Sequence, residues 1–243
     1  IPFYQPKVCL KTGNIKGVEV LARWNNKTLG MVSPTRFIPV AEESKLITEI
    51  SEQLMIKACQ FILPVIKSGI FNGRISFNVS ITQFIRGDIV SWIDKILGEC
   101  NFPSEYLELE ITESMVMENI EGAIKIMKQL KSRNINISID DFGTGYSSLS
   151  YLKKFPIDII KIDKSFISDL MYSEEDRKII TSIIQLAHNL GLQVIAEGTE
   201  QINQIMFLKE LGCEQAQGFY YCKPLPAEEY LSFLSKNINL YDI

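Results

Sequence analysis

The sequence predicts an α/β fold, a TIM-like (β/α)8 barrel with its site at the C-terminal ends of the strands, and three observations carry that reading. Short apolar strands alternate with amphipathic helical stretches from end to end, a pattern that implies parallel strands joined by helical crossovers. The 243 residues contain no linker, repeat or low-complexity tract, and that length suits one barrel. In strand after strand one face is apolar, while the other gathers small or charged residues with the charged ones last. A closed barrel turns all such faces toward one axis and builds its site at that end. The chain therefore reads as one domain over 1–243. With Ile rather than Met at position 1, it is expected to be a piece of a longer multidomain protein.

Taken in order, strands are expected at 15–24, 75–80, 106–112, 136–140, 159–163, 192–197 and 215–221. Helical spacing lies between them, as in Ile120, Ala123, Ile124, Met127 and Leu130. Ser33 and Pro34 offer an N-cap and a first-turn proline ahead of a helix over 41–67. Gly69, Gly98 and Gly191 fall where helices need left-handed caps. The inner faces read Ser76, Asn78 and Ser80; Glu108, Glu110 and Thr112; Asn136, Ser138 and Asp140; then Lys161 and Asp163, with Glu197 ending a later strand.

Composition narrows the function classes. The net charge of −4 argues against a surface built for DNA or other long nucleic acids. No run approaches the roughly 18 apolar residues of a membrane span, so no membrane contact is expected of this domain, although a tether elsewhere in a full-length chain is compatible. The five cysteines stand singly, without C-x-x-C spacing, which points to a reducing, cytoplasmic compartment. The one histidine, His188, lies near a helix end, where capping or surface roles dominate. A single histidine excludes a multi-histidine metal site and disfavours a Ser-His-Asp triad.

The run I-N-I-S-I-D-D-F-G-T-G-Y-S-S-L over 135–149 ends a β-branched strand on two adjacent carboxylates. Buried carboxylates must take up protons or find a counter-charge. One of the pair could instead cap a helix beginning near Ser147. Together, Glu19, Asn78, Glu110, Asp140, Asp141 and Glu197 form an all-oxygen set suited to Mg²⁺ or Mn²⁺. Two cations roughly 3.5–4 Å apart would use all six, as in phosphate-ester hydrolysis. Lys161 then reads as a cation beside developing phosphoryl charge, as an orienter of the attacking water, or as a salt-bridge partner of an inner carboxylate.

These residues sit in motifs spread along nearly the whole chain. They are Y-Q-P at 4–6, E-V-L-A-R-W at 19–24, S-P-T-R-F-I-P-V-A-E-E at 33–43 and F-N-V-S at 77–80. E-I-T-E follows at 110–113, D-D-F-G-T-G-Y-S-S at 140–148, K-I-D at 161–163, A-E-G-T-E at 196–200 and Q-G-F-Y-Y-C-K-P at 217–224. In this order they resemble the EAL-domain cyclic-di-GMP phosphodiesterases. The resemblance implies hydrolysis of cyclic di-GMP to linear pGpG with two divalent cations, Mg²⁺ or Mn²⁺. It implies that Glu19, Asn78, Glu110 and Asp140 hold the first cation, with Asp140 bridging to a second that Asp141 and Glu197 complete. Lys161 would engage the attacking water, with Glu197 or Lys161 in proton transfer, and Glu113 would steady the Asp-Asp-Phe-Gly loop. Gln5, Leu21, Arg23 and Gln217 would contact the dinucleotide or close the site. A homodimer with the 141–148 loop and its following helix near the contact, and a sensor or GGDEF-type regulatory domain in the full chain, are implied in the same way.

Departures from the family pattern are Val20 for the signature alanine, Thr199 for a common valine, Lys45 for a frequent glycine and Cys222 for a common serine. None removes a proposed ligand. Two other readings use the same residues: a catalytically inactive receptor that binds the dinucleotide and acts through a partner, and another Mg²⁺-dependent barrel enzyme acting on a carbonyl acid.

Overall fold

The computed structural model of the chain describes residues 1–86, 88–145 and 149–236. The strands are β1 (Pro2–Cys9), β2 (Ile15–Ala22), β3 (Trp24–Asn26), β4 (Gly30–Val32), β5 (Arg74–Asn78), β6 (Leu107–Thr112), β7 (Asn136–Phe142), β8 (Ile159–Ile162), β9 (Gln193–Glu197), β10 (Gln215–Gln217) and β11 (Leu225–Pro226). The helices are α1 (Pro34–Glu43), α2 (Ile47–Lys67), α3 (Ile81–Arg86), α4 (Ile89–Cys100), α5 (Glu113–Glu118), α6 (Ile120–Lys131), α7 (Leu149–Leu152), α8 (Lys164–Ser168), α9 (Glu174–Asn189), α10 (Ile202–Glu210) and α11 (Ala227–Ser235).

One sheet runs β10-β9-β8-β7-β6-β5-β2-β1-β11, and a β10–β1 pairing closes it into an eight-stranded α/β barrel. The barrel is mixed rather than wholly parallel. Strand β1 lies antiparallel to β2, β10 and β11, whereas the steps from β2 through β5 to β10 are parallel. Strand β1 is absent from the strands expected from sequence, because Pro2 and Pro6 argue against a central strand. The structure accommodates Pro6 between the Phe3–Tyr4 pairing with β11 and the Val8–Cys9 pairing with β10, in a stretch that pairs only with β2. A tight turn after Cys9 replaces the crossover helix, with Gly13 N–H bonded to the Cys9 carbonyl.

Other boundaries also differ from the sequence reading. The expected strand over 15–24 stops at Ala22, and Trp24 opens the separate β3–β4 hairpin. The expected strand over 215–221 stops at Gln217. Ser33 does precede Pro34 at the start of a helix, but the helix expected over 41–67 is broken: Lys45 has φ +63°, a left-handed conformation that ends α1 before α2 begins. That strain explains why glycine suits this position better. Gly69 and Gly191 follow helices with positive φ, but Gly98 lies inside α4 and Asn101 (φ +49°) takes its cap. Tyr146–Ser148, with the expected helix start near Ser147 and part of the expected dimer contact, lie outside the described residues.

The apolar strand faces point outward. Ile75, Phe77, Leu107, Leu109, Ile137, Ile139, Ile160 and Val194 are buried beneath a helical layer that includes Met55, Ile62, Ile93, Met127, Ile180 and Leu208. Each such side chain contributes about 1.5–3 kcal/mol on leaving water. The opposite faces therefore line the barrel axis, and these are the polar ones. No described helix is long and apolar enough to cross a membrane.

Candidate active site

The site forms because strand alternation sends polar residues of neighbouring strands to one axis. Glu19, Glu110 and Lys161 lie on β2, β6 and β8, and each is at most 5% exposed. Asp140 ends the inner face of β7 and Glu197 closes β9. Lys161 is the hub: its Nζ lies 3.2 Å from Asp140 Oδ1 and 2.6 Å from Glu197 Oε1, and it also donates to Glu110 Oε2. Glu19 accepts from Asn78 Nδ2 at 2.7 Å and from the Gln217 side-chain amide, and Gln217 also donates to Gln5 Oε1 at 3.1 Å.

Adjacent strand residues normally face opposite ways, and a bulge resolves this for the aspartate pair. The β7–β8 register shifts between Ile139 and Phe142, and Asp141 has φ +54°. Asp140 is thereby buried beside Lys161, while Asp141 is exposed on the rim and donates its N–H to Asp140 Oδ1 at 3.0 Å. Glu113 is the first residue of α5 and accepts the Gly143 N–H at 3.3 Å, tying the Asp-Asp-Phe-Gly turn to the end of β6. Leu21 and Arg23 are half-buried above Glu19, with the Arg23 guanidinium 5.6 Å over the Phe3 ring.

Gln5, Glu19, Leu21, Glu197, Gln217 and Phe219 line a cavity of about 240 Å³ above this cluster. Gly218 allows the chain to close behind it, since a Cβ there would stand 2.0 Å from the Thr199 carbonyl oxygen. A larger cavity of about 470 Å³ lies between the hairpin and helices α1 and α2. Its lining holds no carboxylate, so the chemistry belongs to the smaller one.

The electrostatics are unbalanced. Among the described residues, five inward carboxylates, Glu19, Glu108, Glu110, Asp140 and Glu197, meet two inward ammonium groups, Lys7 and Lys161. Burial and then neighbouring Glu110 push Glu19 up to about 7. Burial likewise lifts Glu197 well above the carboxylate range despite Lys161. Burial acts on Glu110 too, but Lys161 and Lys7 outweigh it and hold it well below that range. Burial would lower Lys161, yet Asp140 and Glu110 overcome this and keep it an ammonium. Asp141 is raised by burial and by Asp140.

Among the described residues no three His, Cys, Asp or Glu side chains already surround one point; Lys161 takes the centre. The donor set still fits a hard divalent cation, being entirely carboxylate and amide oxygen with three carboxylates in excess. Lys7 and Glu108 belong to the same network and were not singled out as site residues from sequence. Their signal was period two, since Lys7 shares a face with Gln5, and Glu108 with Glu110.

Known proteins share this fold. The EAL domain model matches residues 1–224. The chain is 39% identical over 229 residues to the bifunctional diguanylate cyclase/cyclic di-GMP phosphodiesterase MucR of Pseudomonas aeruginosa, covering 94% of this chain and 33% of that protein. It is 37% identical over 231 residues to the cyclic di-GMP phosphodiesterase NbdA of the same organism, covering 95% of this chain and 30% of that one. It thus spans about a third of the length of these curated relatives. A solved structure described as the PaMucR phosphodiesterase in complex with c-di-GMP superposes with a TM-score of 0.92 at 38% identity, covering 95% of this chain and 93% of that one. A mixed barrel with carboxylates gathered at one rim, matched over this extent, places the chain in the EAL domain family.

Proposed function

We propose that this domain hydrolyses cyclic di-GMP to linear pGpG with two divalent cations, Mg²⁺ or Mn²⁺. The carrying observation is the surplus of buried carboxylates around Lys161 at the barrel rim, in a chain whose relatives include a cyclic di-GMP phosphodiesterase. Glu19, Asn78, Glu110 and Asp140 would hold one cation, and Asp140, Asp141 and Glu197 the other. Bound there, such cations supply Lewis acidity toward water and phosphate.

The chain's own groups do the rest. Lys161, donating to Glu110 and ion-paired with Asp140 and Glu197, acts as a hydrogen-bond donor that orients the attacking water or a phosphate oxygen. Gln5, Leu21, Arg23 and Gln217 bind the dinucleotide, with Arg23 as the phosphate-facing cation. Glu113 holds the Asp-Asp-Phe-Gly turn through Gly143. In the reaction the water gives up a proton as its oxygen bonds to phosphorus, the bond from phosphorus to the 3′-oxygen breaks, and the leaving oxygen takes up a proton, with Glu197 or Lys161 in the transfer. A cytoplasmic location, a homodimer and a regulatory sensor or GGDEF-type domain in a longer chain complete the proposal.

Product analysis after mixing the domain with cyclic di-GMP and Mn²⁺ or Mg²⁺ tests it, with EDTA as control. Metal-dependent pGpG is expected, and Glu19→Ala or Asp140→Ala should lower turnover by on the order of 10³-fold. Saturable binding without product would support the receptor reading instead. Near wild-type turnover in either variant would overturn the site assignment.

A further inference from the structure

Beneath the rim lies a second ion-paired layer that meets the proposed site only at Glu110. Lys7 is 1% exposed, and its Nζ donates to Glu108 Oε1 and Glu110 Oε1, both at 2.7 Å. Ser138 Oγ donates to the same Glu108 oxygen at 3.2 Å. The two oxygens of Glu110 are thus divided between lysines, Oε1 to Lys7 below and Oε2 to Lys161 above.

The barrel makes room for this lysine. Its cross-strand partner on β2 is Gly17, where a Cβ would stand 3.2 Å from Lys7 Cδ and 3.3 Å from the Arg74 carbonyl oxygen. The β1–β2 register shifts between Lys7 and Val8, and the small residues Ser76 and Ser138 line the same interior, fully buried. Apolar side chains in place of both Lys7 and Glu108 would fill this space without the desolvation cost of a buried ion pair, so stability alone does not explain the pair.

We propose that Lys7 is a positioning residue: it pins Oε1 of Glu110, fixes the carboxylate plane, and leaves Oε2 as the oxygen presented to the site. This rests on Glu110 being a cation ligand. A carboxylate held at its inner oxygen by Lys7 turns its outer oxygen, the one Lys161 contacts, toward the site in one orientation, whereas an unanchored one rotates about a soft terminal torsion. Positioning and simple charge make opposite forecasts. Removing an ammonium one carboxylate away makes the site more negative and, by Coulomb attraction alone, tightens cation binding; loss of positioning weakens it.

The test is Mn²⁺ binding to the purified domain, read from the paramagnetic resonance of free Mn²⁺, with thermal melting as a check on folding. Lys7→Met is expected to weaken Mn²⁺ binding about 10–100-fold, the usual effect of losing a group that orients a ligand. Glu108→Gln, which leaves the bond from Lys7 to Glu110 in place, should stay within about threefold of wild type. At saturating Mn²⁺, Lys7→Met should retain the wild-type KM for cyclic di-GMP. If Lys7→Met melts early, Lys7→Met with Glu108→Gln removes the unpaired buried charge and should show the same weakening. Binding as tight as wild type, or tighter, in a folded Lys7 variant overturns the proposal. Failure of the wild-type domain to bind Mn²⁺ would instead overturn the functional reading on which it rests.

Discussion

In the floor of the barrel interior, Lys7 is matched by Glu108 and half of Glu110, and no cavity opens there among those described. At the rim the same residue types are mismatched: one ammonium, Lys161, serves Glu110, Asp140 and Glu197, while Glu19 relies on two amides. The floor is a closed polar network, and such networks specify geometry when every member is satisfied. The rim is left short of positive charge, and burial there raises Glu19 and Glu197. Burial alone therefore does not mark a site; the surplus of charge does.

The largest expected effect comes from breaking the rim at its hub. Lys161→Met removes the shared counter-charge of three carboxylates, and losing one partner of a buried ion pair costs about 3–5 kcal/mol. In EDTA the melting temperature should fall by roughly 10 °C, and turnover should be lost. An unchanged melting temperature would show that Lys161 does not hold the rim together.

A smaller effect follows from the charge of Glu19. Mn²⁺ at about 100 times its Kd should stabilise the wild-type domain by about 2.7 kcal/mol. Without a cation, Glu19 holds its proton up to about pH 7, so that contribution to folding is full at low pH and fades as pH rises through 7. A cation needs the carboxylate form. The Mn²⁺-induced rise in melting temperature should therefore shrink between pH 8 and pH 6, and a pH-independent rise would remove Glu19 from the cation's partners.

The smallest effect tests the rim's other edge. Thr199 is fully buried, and its hydroxyl has no hydrogen-bond partner among the described residues. An unsatisfied buried hydroxyl costs about 1–3 kcal/mol, so Thr199→Val, nearly isosteric, should raise the melting temperature by roughly 2 °C without changing KM. A fall in melting temperature would mean the hydroxyl is satisfied by ordered water.

Much of this site was legible because strand alternation is a strong signal when one face is charged and the other aliphatic. Glu110, Asp140 and Lys161 converge in the barrel as their spacing requires. Strand β1 escaped, since two prolines and a hairpin suppress both strand and crossover signals. With it went Lys7, because a strand unrecognised in the sequence leaves its period-two face unassigned. The Asp141 bulge was equally hidden, because a left-handed aspartate depends on its neighbours' packing. Lys45 shows the converse: a departure from the family pattern coincides with a strained backbone position.

Strand β1 carries one residue for each level of the interior, Gln5 at the rim and Lys7 at the floor, and it forms the barrel's seam between β2 and β10. A slip of one residue along that seam would turn Tyr4 and Pro6 inward and expel both polar groups. A slip of two would preserve facing but shift Lys7 about 7 Å along the axis. Moved toward the rim, it would set an ammonium against Glu19, strand Glu108 without a counter-ion and leave Glu110 to Lys161 alone. Each wrong alignment thus carries an electrostatic penalty, and the chain's closing stitch is proofread by charge.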